Sequence, residues 1–233
     1  EKVCSLWFVA HRWLFSAGGV FFFFSLAKKC KWRRTKEQTL VNELRTVSSI
    51  STLVTTLYLI RMLYKFFIKT PSFVKRFFSS YVWSLPTSEK LVYLTFDDGP
   101  HPVVTSFVLK ELKKYNAKAT FFCVGKNVEE YPEIYQQILA EGHAVGNHTY
   151  DHPNGWVVST DYYLDNVAKA TNYISSNLFR PPYGKIKSSQ AKGITQGINK
   201  EANIIMWDVL SADFVTSINR EQCLNNVLKN YDK

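Results

Sequence analysis

Two adjacent carboxylates are the first residues of this sequence whose types and spacing could do chemistry. Asp97 and Asp98 follow an apolar run at 91–94 that predicts a buried strand, and Gly99-Pro100 then turns the chain. Carboxylates that are buried at a strand end without partners are costly, so this pattern favours a bound cation or a proton-transfer role. The alternative is an Asp-Asp-Gly-Pro turn on the surface, which is a common turn composition.

A pair of histidines could supply the remaining ligands of such a cation. His148 and His152 lie in the stretch Asn-His-Thr-Tyr-Asp-His at residues 147–152. Two imidazoles at this spacing can reach one ion if the segment turns helically, although surface histidines often coincide. With a strand-end aspartate they would complete a three-ligand site that leaves an open position for water or substrate. Asp151 lies between them and is interpreted as a solvated or supporting group.

Two further stretches end predicted strands with polar residues. Arg180 begins Arg-Pro-Pro-Tyr-Gly, where the guanidinium could orient a carboxylate and a following backbone N–H could bind an oxyanion. Trp-Asp-Val-Leu-Ser-Ala-Asp-Phe at residues 207–214 offers Asp208 or Asp213 as a partner that supports a metal ligand. Taken alone, the first stretch would be a rigid loop with a surface arginine, and the second a core strand with its loop.

The elements that must position these residues alternate along the chain from residue 91. Apolar runs predict strands, and amphipathic segments predict helices. The predicted strands are 91–96, 119–124, 143–148, 178–180 and 204–210, and the predicted helices are 104–115, 132–140, 161–176, 188–196 and 220–228. This alternation indicates parallel βαβ units, in which functional groups collect at the carboxyl ends of the strands. Each candidate motif lies at such an end, and Thr160 or Asp161 is expected to cap the third helix.

Taken in order, these stretches resemble the motifs of the polysaccharide deacetylase family, also called the NodB-homology domain or carbohydrate esterase family four. The matching motifs are Thr-Phe-Asp-Asp-Gly-Pro at 95–100, His-Thr-x-x-His at 148–152, Arg-Pro-Pro-Tyr-Gly at 180–184, and Trp-Asp followed by Ser-x-Asp-aromatic at 207–214. The resemblance covers residues from about 82 to the end. It implies an α/β fold, a distorted (β/α) barrel of the polysaccharide deacetylase type that is incomplete at the carboxyl terminus. It also implies metal-dependent hydrolysis of N-acetyl groups on the amino sugars of a peptidoglycan-like or chitin-like polysaccharide or oligosaccharide.

The resemblance also implies roles for individual residues. Asp97 matches the general base, and Arg180 matches the partner that orients it. Asp98, His148 and His152 match the ligands of one divalent metal ion. Zinc is the metal expected first, with cobalt, nickel or manganese as alternatives. Such an ion would polarise the acetamide carbonyl and lower the pKa of water.

Further residues are implied around this centre. The main-chain N–H of Tyr183 matches an oxyanion donor, and Asp213 matches the aspartate of the fourth motif. The residues expected to line the substrate groove are Asn147, Trp156, Pro182 and Phe214. Phe214 replaces the tryptophan that is usual in the family, which could reshape the groove wall.

The sequence departs from the family pattern at its carboxyl end. The family's fifth motif, a Leu-x-Leu-His-Asp-like strand, supplies a general-acid histidine, and no histidine follows His152 before Lys233. We interpret the chain as a truncated record of an active enzyme, and we expect the polypeptide to bind metal poorly or to turn over slowly as it stands. The alternatives are a catalytically inactive glycan-binding relative and a membrane-anchored protein without enzymatic activity.

Composition and charge exclude some classes of protein. The net charge is +10, and much of it lies at residues 28–34 and 61–76, beside apolar segments. This placement is typical of juxtamembrane basic residues, so no nucleic-acid partner is expected. The cysteines have no Cys-x-x-Cys spacing and are interpreted as unpaired thiols; they are Cys4, Cys30, Cys123 and Cys223.

Residues 1–80 form an apolar and basic extension ahead of a deacetylase domain at 85–233. The extension contains a candidate transmembrane helix at about 6–27 and a weaker segment at about 47–68. The alternative is mistranslated sequence upstream of a native start at Met62. The expected location is the bacterial cell envelope, with membrane association if the extension is genuine. The oligomeric state cannot be inferred from the sequence.

Overall fold

A parallel sheet forms the centre of the protein in a computed structural model that describes residues 4–9, 68–86, 89 and 91–231. Within these residues the sheet has six strands, which lie side by side in the order of the sequence. The strands are β1 (Cys4–Val9), β2 (Val92–Gly99), β3 (Ala119–Cys123), β4 (Ala144–Asn147), β5 (Leu178–Phe179) and β6 (Asn203–Ile204). All neighbouring pairs are parallel. A strand order that never reverses is the order of a (β/α) barrel and differs from that of a doubly wound sheet.

Helices connect most of these strands. They are α1 (Ser72–Phe77), α2 (Val104–Lys114), α3 (Gly125–Glu130), α4 (Pro132–Ala140), α5 (Thr160–Thr171), α6 (Ser188–Gly193) and α7 (Arg220–Leu228). A π-helical turn at Ile194–Ile198 continues α6, and a 3-10 turn lies at Pro182–Gly184. Strands and helices therefore alternate from β2 onward, as the apolar pattern predicts.

The two faces of β3 carry the core because successive side chains of a strand point to opposite faces. Phe121 packs with Leu109 of α2 and Ile138 of α4 on one face. Phe122 packs with Leu210 on the other. Cys123 at the end of the strand is a buried free thiol.

The amino-terminal cap of α5 differs from the prediction. The Ser159 hydroxyl accepts a hydrogen bond from the backbone N–H of Tyr162, while Ser159 itself keeps an extended backbone. This is the geometry of an N-cap. Thr160 and Asp161 were the wrong choice, since both already lie within the helix.

The strand predicted at 204–210 is also wrong in length, because β6 ends at Ile204. The backbone from Ile204 to Leu210 forms hydrogen bonds with a segment far upstream in the chain. Val82 N–H donates to the Ile204 carbonyl at 2.8 Å, and Leu210 N–H donates to the Ile68 carbonyl at 2.7 Å. The compact unit of the fold accordingly includes residues 68–80, which were predicted to belong to the extension.

The first strand lies where a transmembrane helix was predicted. Residues 6–9 belong to β1, which pairs in parallel with β2, so the predicted helix is wrong for these residues. Residues 10–27, the segment at 47–67 and the candidate start at Met62 lie outside the described residues. In the part of the chain that the structure describes, no helix has the length and apolar character needed to cross a membrane.

Candidate metal centre

A β-bulge at the end of β2 separates the two adjacent carboxylates. Asp97 pairs with Phe122 of β3 while Gly99 pairs with Cys123, so Asp98 is the extra residue between them. Asp98 has a φ of 65°, and its carbonyl accepts a hydrogen bond of 2.8 Å from the Asn127 side chain. Bulges of this kind re-aim a side chain and are frequent beside active sites. The bulge is therefore what gives Asp98 a direction of its own.

The histidine pair lies on an irregular loop after β4. The spacing of His148 and His152 predicts a helical turn between them, but the loop instead places Thr149 and His152 in the left-handed region, with φ of 67° and 62°. This conformation is strained for a β-branched residue. Local bonds stabilise it: Thr149 N–H donates to the Asn147 side chain at 2.8 Å, and His152 N–H donates to the Thr149 hydroxyl at 3.0 Å.

The bulge and the loop bring three candidate ligands together. The Nε2 atoms of His148 and His152 lie 3.3 Å and 3.1 Å from Asp98 Oδ1. One ligand atom from each residue lies within 4.8 Å of the other two. A carboxylate oxygen with two imidazole nitrogens is a donor set that suits zinc and other first-row divalent ions. The donor chemistry therefore fits the metal that the family resemblance implies.

The tautomer of His148 follows from its second ring nitrogen. His148 Nδ1 lies 2.8 Å from the backbone carbonyl of Arg180. A carbonyl can only accept, so Nδ1 carries the hydrogen, and the lone pair of neutral His148 is on Nε2, facing Asp98. This is the arrangement by which proteins orient a metal-binding histidine.

The electrostatics of the three ligands reflect mutual attraction. Burial acts to raise the pKa of Asp98, but hydrogen bonds and charge from His148 and His152 lower that pKa far below its ordinary value. Burial acts to lower the pKa of His148, but the carboxylates of Asp97 and Asp98 raise it overall. Both pKa shifts show that the carboxylates make the site negative, so that positive charge is stabilised there. A bound cation would supply such a charge.

The Asp97 carboxylate forms an ion pair with Arg180. Arg180 Nη1 donates to Asp97 Oδ1 at 2.7 Å. Arg180 is fully buried, donates to the carbonyls of Ile205 and Met206 at 3.2 Å and 3.3 Å, and stacks on the ring of Phe122 at 3.6 Å. Burial raises the pKa of Asp97, and the charge of Arg180 opposes that rise. The structure thus brings together the pair that the sequence analysis names as base and orienting partner.

Tyr183 lies beside the candidate ligands. Its ring packs edge-on against the His152 ring at 4.5 Å and is 53% exposed. Its φ of 59° is left-handed, as is the 66° of Gly184. A Cβ on Gly184 would come within 2.3 Å of the Trp207 ring, so only glycine fits this turn.

The predicted groove residues have different environments. Trp156 is 62% exposed, and its indole N–H donates to the Ile186 carbonyl at 3.3 Å. Pro182 is buried, and Phe214 is half-buried against Phe122 and Leu210. Only the first of the three presents a large ring to solvent.

The side chain of Asn147 lies inside the protein. It is 4% exposed and donates to the Val167 carbonyl at 3.2 Å, while accepting from Thr149 N–H. Its amide therefore joins the histidine loop to α5. A groove wall would require an exposed side chain.

The aspartates of the fourth motif have separate contacts. Asp208 is buried and forms an ion pair with Lys75 of the upstream segment. Asp213 accepts a hydrogen bond of 2.7 Å from the Ser211 hydroxyl. The ion pair of Asp208 with α1 explains a second charged residue in this stretch.

Sequence reasoning missed Asn166, which supports the histidine loop from α5. Its buried side-chain oxygen accepts from the backbone N–H groups of Tyr150 and Asp151 at 2.8 Å and 3.1 Å. Its nitrogen donates to the Asp151 carboxylate at 2.5 Å. The available signal was a polar residue on the same helical face as buried Tyr163 and Val167.

The helix α3, which was not predicted, supports the same loop from the other side. The backbone N–H groups of Gly125 and Lys126 donate to the carbonyls of Thr149 and Tyr150, both at 2.9 Å. A Cβ at position 125 would lie 3.0 Å from the Tyr150 ring and 3.2 Å from Ala170. A glycine at the strand end is the signal that could have indicated this close approach.

Comparisons with known proteins identify the relatives of this chain. The family model for polysaccharide deacetylase matches residues 84–197. A peptidoglycan-N-acetylglucosamine deacetylase of Bacillus cereus is 38% identical over 157 residues, covering 65% of this chain and 56% of the relative. A chitooligosaccharide deacetylase of Azorhizobium caulinodans is 36% identical over 152 residues, covering 61% of this chain and 70% of the relative.

A solved structure supports the same assignment. The crystal structure of the Bc1960 peptidoglycan N-acetylglucosamine deacetylase has a TM-score of 0.61 and 38% identity, and the match covers 69% of this chain and 76% of that one. The chain spans 56% of the length of the Bacillus cereus relative described above. The predicted family and its α/β fold are confirmed, while the predicted apolar helical extension lies mostly outside the described residues. The chain belongs to the polysaccharide deacetylase family.

Proposed function

We propose that the protein is a metal-dependent hydrolase that removes N-acetyl groups from the amino sugars of a glycan in the bacterial cell envelope. The observation that carries the proposal is the cluster of Asp98, His148 and His152 beside the buried Asp97–Arg180 pair. A cation site next to a fixed carboxylate is what hydrolysis of an unreactive amide requires. The names of the two relatives, which act on peptidoglycan and on chitooligosaccharides, support the substrate class.

The metal would be held by Asp98 Oδ1 and by the Nε2 atoms of His148 and His152. When bound, a divalent ion there would polarise the acetamide carbonyl and make water more acidic. Zinc is the ion that we propose, because two imidazoles and one carboxylate with an open position form a typical catalytic zinc set.

Asp97 is proposed as the general base. Its carboxylate is buried and held by Arg180, so its orientation is fixed before substrate binds. It would accept a proton from the water that attacks the acetyl carbon. As the new C–O bond forms and the C–N bond breaks, the nitrogen must gain a proton before the amine leaves. The family resemblance predicts that a histidine of the fifth motif donates this proton, and that role stays a prediction.

Tyr183 and the exposed rings are proposed to complete the site. The Tyr183 ring contacts the ring of His152, a proposed ligand, and Tyr183 itself has a left-handed backbone; both observations support its N–H as an oxyanion donor. Trp156 is proposed to stack on a sugar ring. Asp213 and Phe214 are proposed to border the site from the loop after β6.

The proposal is tested by acetate release from N-acetylglucosamine oligomers and from peptidoglycan, with added Zn²⁺ or Co²⁺. The protein is compared with Asp97→Asn, with His148→Ala, and with Lys192→Gln as an exposed control. Removal of a general base is expected to lower kcat by on the order of 10²–10⁴-fold, and removal of a ligand should abolish stimulation by metal. Equal release by all four proteins would contradict a hydrolase.

A second candidate function is glycan binding without turnover. The exposed rings of Trp156 and Tyr183 are the observation that favours it, because such rings can bind sugars in the absence of chemistry. It predicts binding of the same oligomers without acetate release at any metal concentration. Release that depends on Asp97 would eliminate it.

A further inference from the structure

A lysine lies between the two exposed rings next to the candidate metal centre. Lys185 Nζ is 5.9 Å from the Tyr183 ring and 5.5 Å from the Trp156 ring. The Tyr183 ring in turn contacts the His152 ring at 4.5 Å. Contacts therefore run without interruption from a candidate metal ligand to the ammonium group. We call Trp156, Tyr183 and Lys185 the Lys185 cluster.

The two loops that carry the cluster are packed tightly against each other. A Cβ on Gly155 would lie 2.4 Å from the Lys185 carbonyl oxygen. The Trp156 indole donates to the carbonyl of Ile186, and Lys185 N–H donates to the Pro182 carbonyl at 3.0 Å. The backbones of both loops and the Trp156 ring are thus positioned before a ligand arrives, which lowers the entropy cost of binding.

The chemistry of the cluster combines two kinds of recognition. Exposed aromatic faces offer apolar area to the C–H groups of a sugar ring. An ammonium group is a point charge that attracts carboxylates, whereas a neutral oligosaccharide offers it hydrogen-bond acceptors but no opposite charge. Because Tyr183 contacts His152, a sugar next to the one that carries the reacting acetyl group would lie within reach of Lys185.

We propose that Lys185 binds the carboxylate of an acidic sugar, so that the site selects a peptidoglycan strand without stem peptides, whose alternate sugars carry a free lactyl carboxylate, over a neutral oligomer of N-acetylglucosamine. The inference rests on the proposed deacetylase function. The alternative is that Lys185 only covers the two rings through cation–π contacts. In that case the charge of the substrate would have no effect on its binding.

The test compares two soluble tetramers at low ionic strength. One consists of N-acetylglucosamine alone, and the other alternates N-acetylglucosamine with its lactyl-carboxylate derivative. A partly exposed ion pair predicts that kcat/KM is about two- to fivefold higher for the acidic tetramer than for the neutral one. This preference is expected to decline as salt is added, because salt screens the charges. Lys185→Gln is expected to bring the ratio of the two kcat/KM values close to one, and Lys185→Arg is expected to keep it. Lys192→Gln, a charge change at an exposed position of α6, is expected to leave the ratio unaltered.

Binding of the same tetramers, followed by tryptophan fluorescence, separates this inference from the proposed function. Selective binding of the acidic tetramer that Lys185→Gln removes supports the inference, even if no acetate is released and the deacetylase proposal fails. Equal binding of both tetramers, or a loss in Lys185→Gln that is the same for both, overturns the inference while acetate release stands.

Discussion

Two buried histidines at opposite ends of β4 have opposite chemistry. His143 precedes the strand and is 7% exposed, while His148 follows it and is 2% exposed. His143 Nδ1 accepts a hydrogen bond of 3.3 Å from Ala119 N–H, whereas His148 Nδ1 lies against a carbonyl and must donate. Burial, and then the charge of Lys118, lowers the pKa of His143. The net effect at His148 is a raised pKa, because two carboxylates outweigh its burial.

The difference lies in which ring nitrogen is left with a lone pair. His143 uses its Nδ1 lone pair inside the fold, to satisfy a backbone donor of β3, and its ring packs against Phe121 at 5.5 Å. His148 donates through Nδ1 and keeps its lone pair on Nε2, directed at Asp98. Residue type and burial are shared by both, so neither property identifies a metal ligand. The partner of the second nitrogen does.

The largest expected effect comes from replacing each histidine in turn. His148→Ala removes one of the three proposed ligands, and we expect the affinity for Zn²⁺ to fall by more than about 100-fold, since loss of a mere supporting partner costs about 10–100-fold. His143→Ala should bind Zn²⁺ as the unaltered protein does. Competition with a chromophoric chelator measures both. Similar losses in the two variants would break the comparison.

A smaller effect is expected from Asn166, which supports the loop between the two histidines that are proposed as ligands. Asn166→Ala removes three hydrogen bonds to Tyr150 and Asp151, so the affinity for Zn²⁺ should fall by about 10–100-fold. Asn172→Ala, on an exposed site at the end of the same helix, is the matched control.

Asn166→Asp sharpens the interpretation, because it keeps the acceptor for the two backbone N–H groups but places a carboxylate against Asp151. An intermediate loss of affinity is expected from this variant. The midpoint of thermal unfolding is measured for Asn166→Ala and for unrelated variants of equal stability. If all of these variants lose the same affinity for Zn²⁺, Asn166 supports the fold as a whole and not the proposed ligands.

The smallest expected effect is on pH dependence, and it tests the other histidine. Because the pKa of His143 is lowered in the folded protein, the unfolded chain binds the proton more readily. The contribution of His143 is therefore fully present above its unfolded pKa of about 6.5 and is lost as the pH falls through the lower folded value. His143→Gln should weaken the loss of stability between pH 7 and pH 5, as measured by urea unfolding. An unchanged pH profile would contradict a buried neutral His143.

Some features of the site were accessible from residue types alone. The order of the motifs and the alternation of apolar and amphipathic segments predicted parallel βαβ units, and the strand-end positions predicted that Asp98, His148 and His152 would meet. Helix bounds were predicted correctly for the nine-residue helices Pro132–Ala140 and Arg220–Leu228, whereas the helix predicted at 161–176 ends at Thr171. Local periodicity is sufficient for such elements because their hydrogen bonds join near neighbours in the chain.

Other features depended on contacts between distant segments. The predicted strand at 204–210 was too long because its backbone pairs with residues 68–70 and 82, far upstream. Residues 68–80 were predicted to belong to the extension, because their partners in the fold are not visible in their own sequence.

The sequence by itself determined the family, the parallel α/β fold and the residue types that could bind a metal. Only the tertiary structure decided how those residues act. The register shift between β2 and β3 turns Asp98 away from Asp97. The Arg180 carbonyl selects the tautomer of His148, and Asn166 stabilises the loop between the two candidate ligands His148 and His152. The physical reason is that each of these features is a hydrogen bond or a register between segments far apart in the chain, and residue type does not specify such a partner until the strands lie side by side.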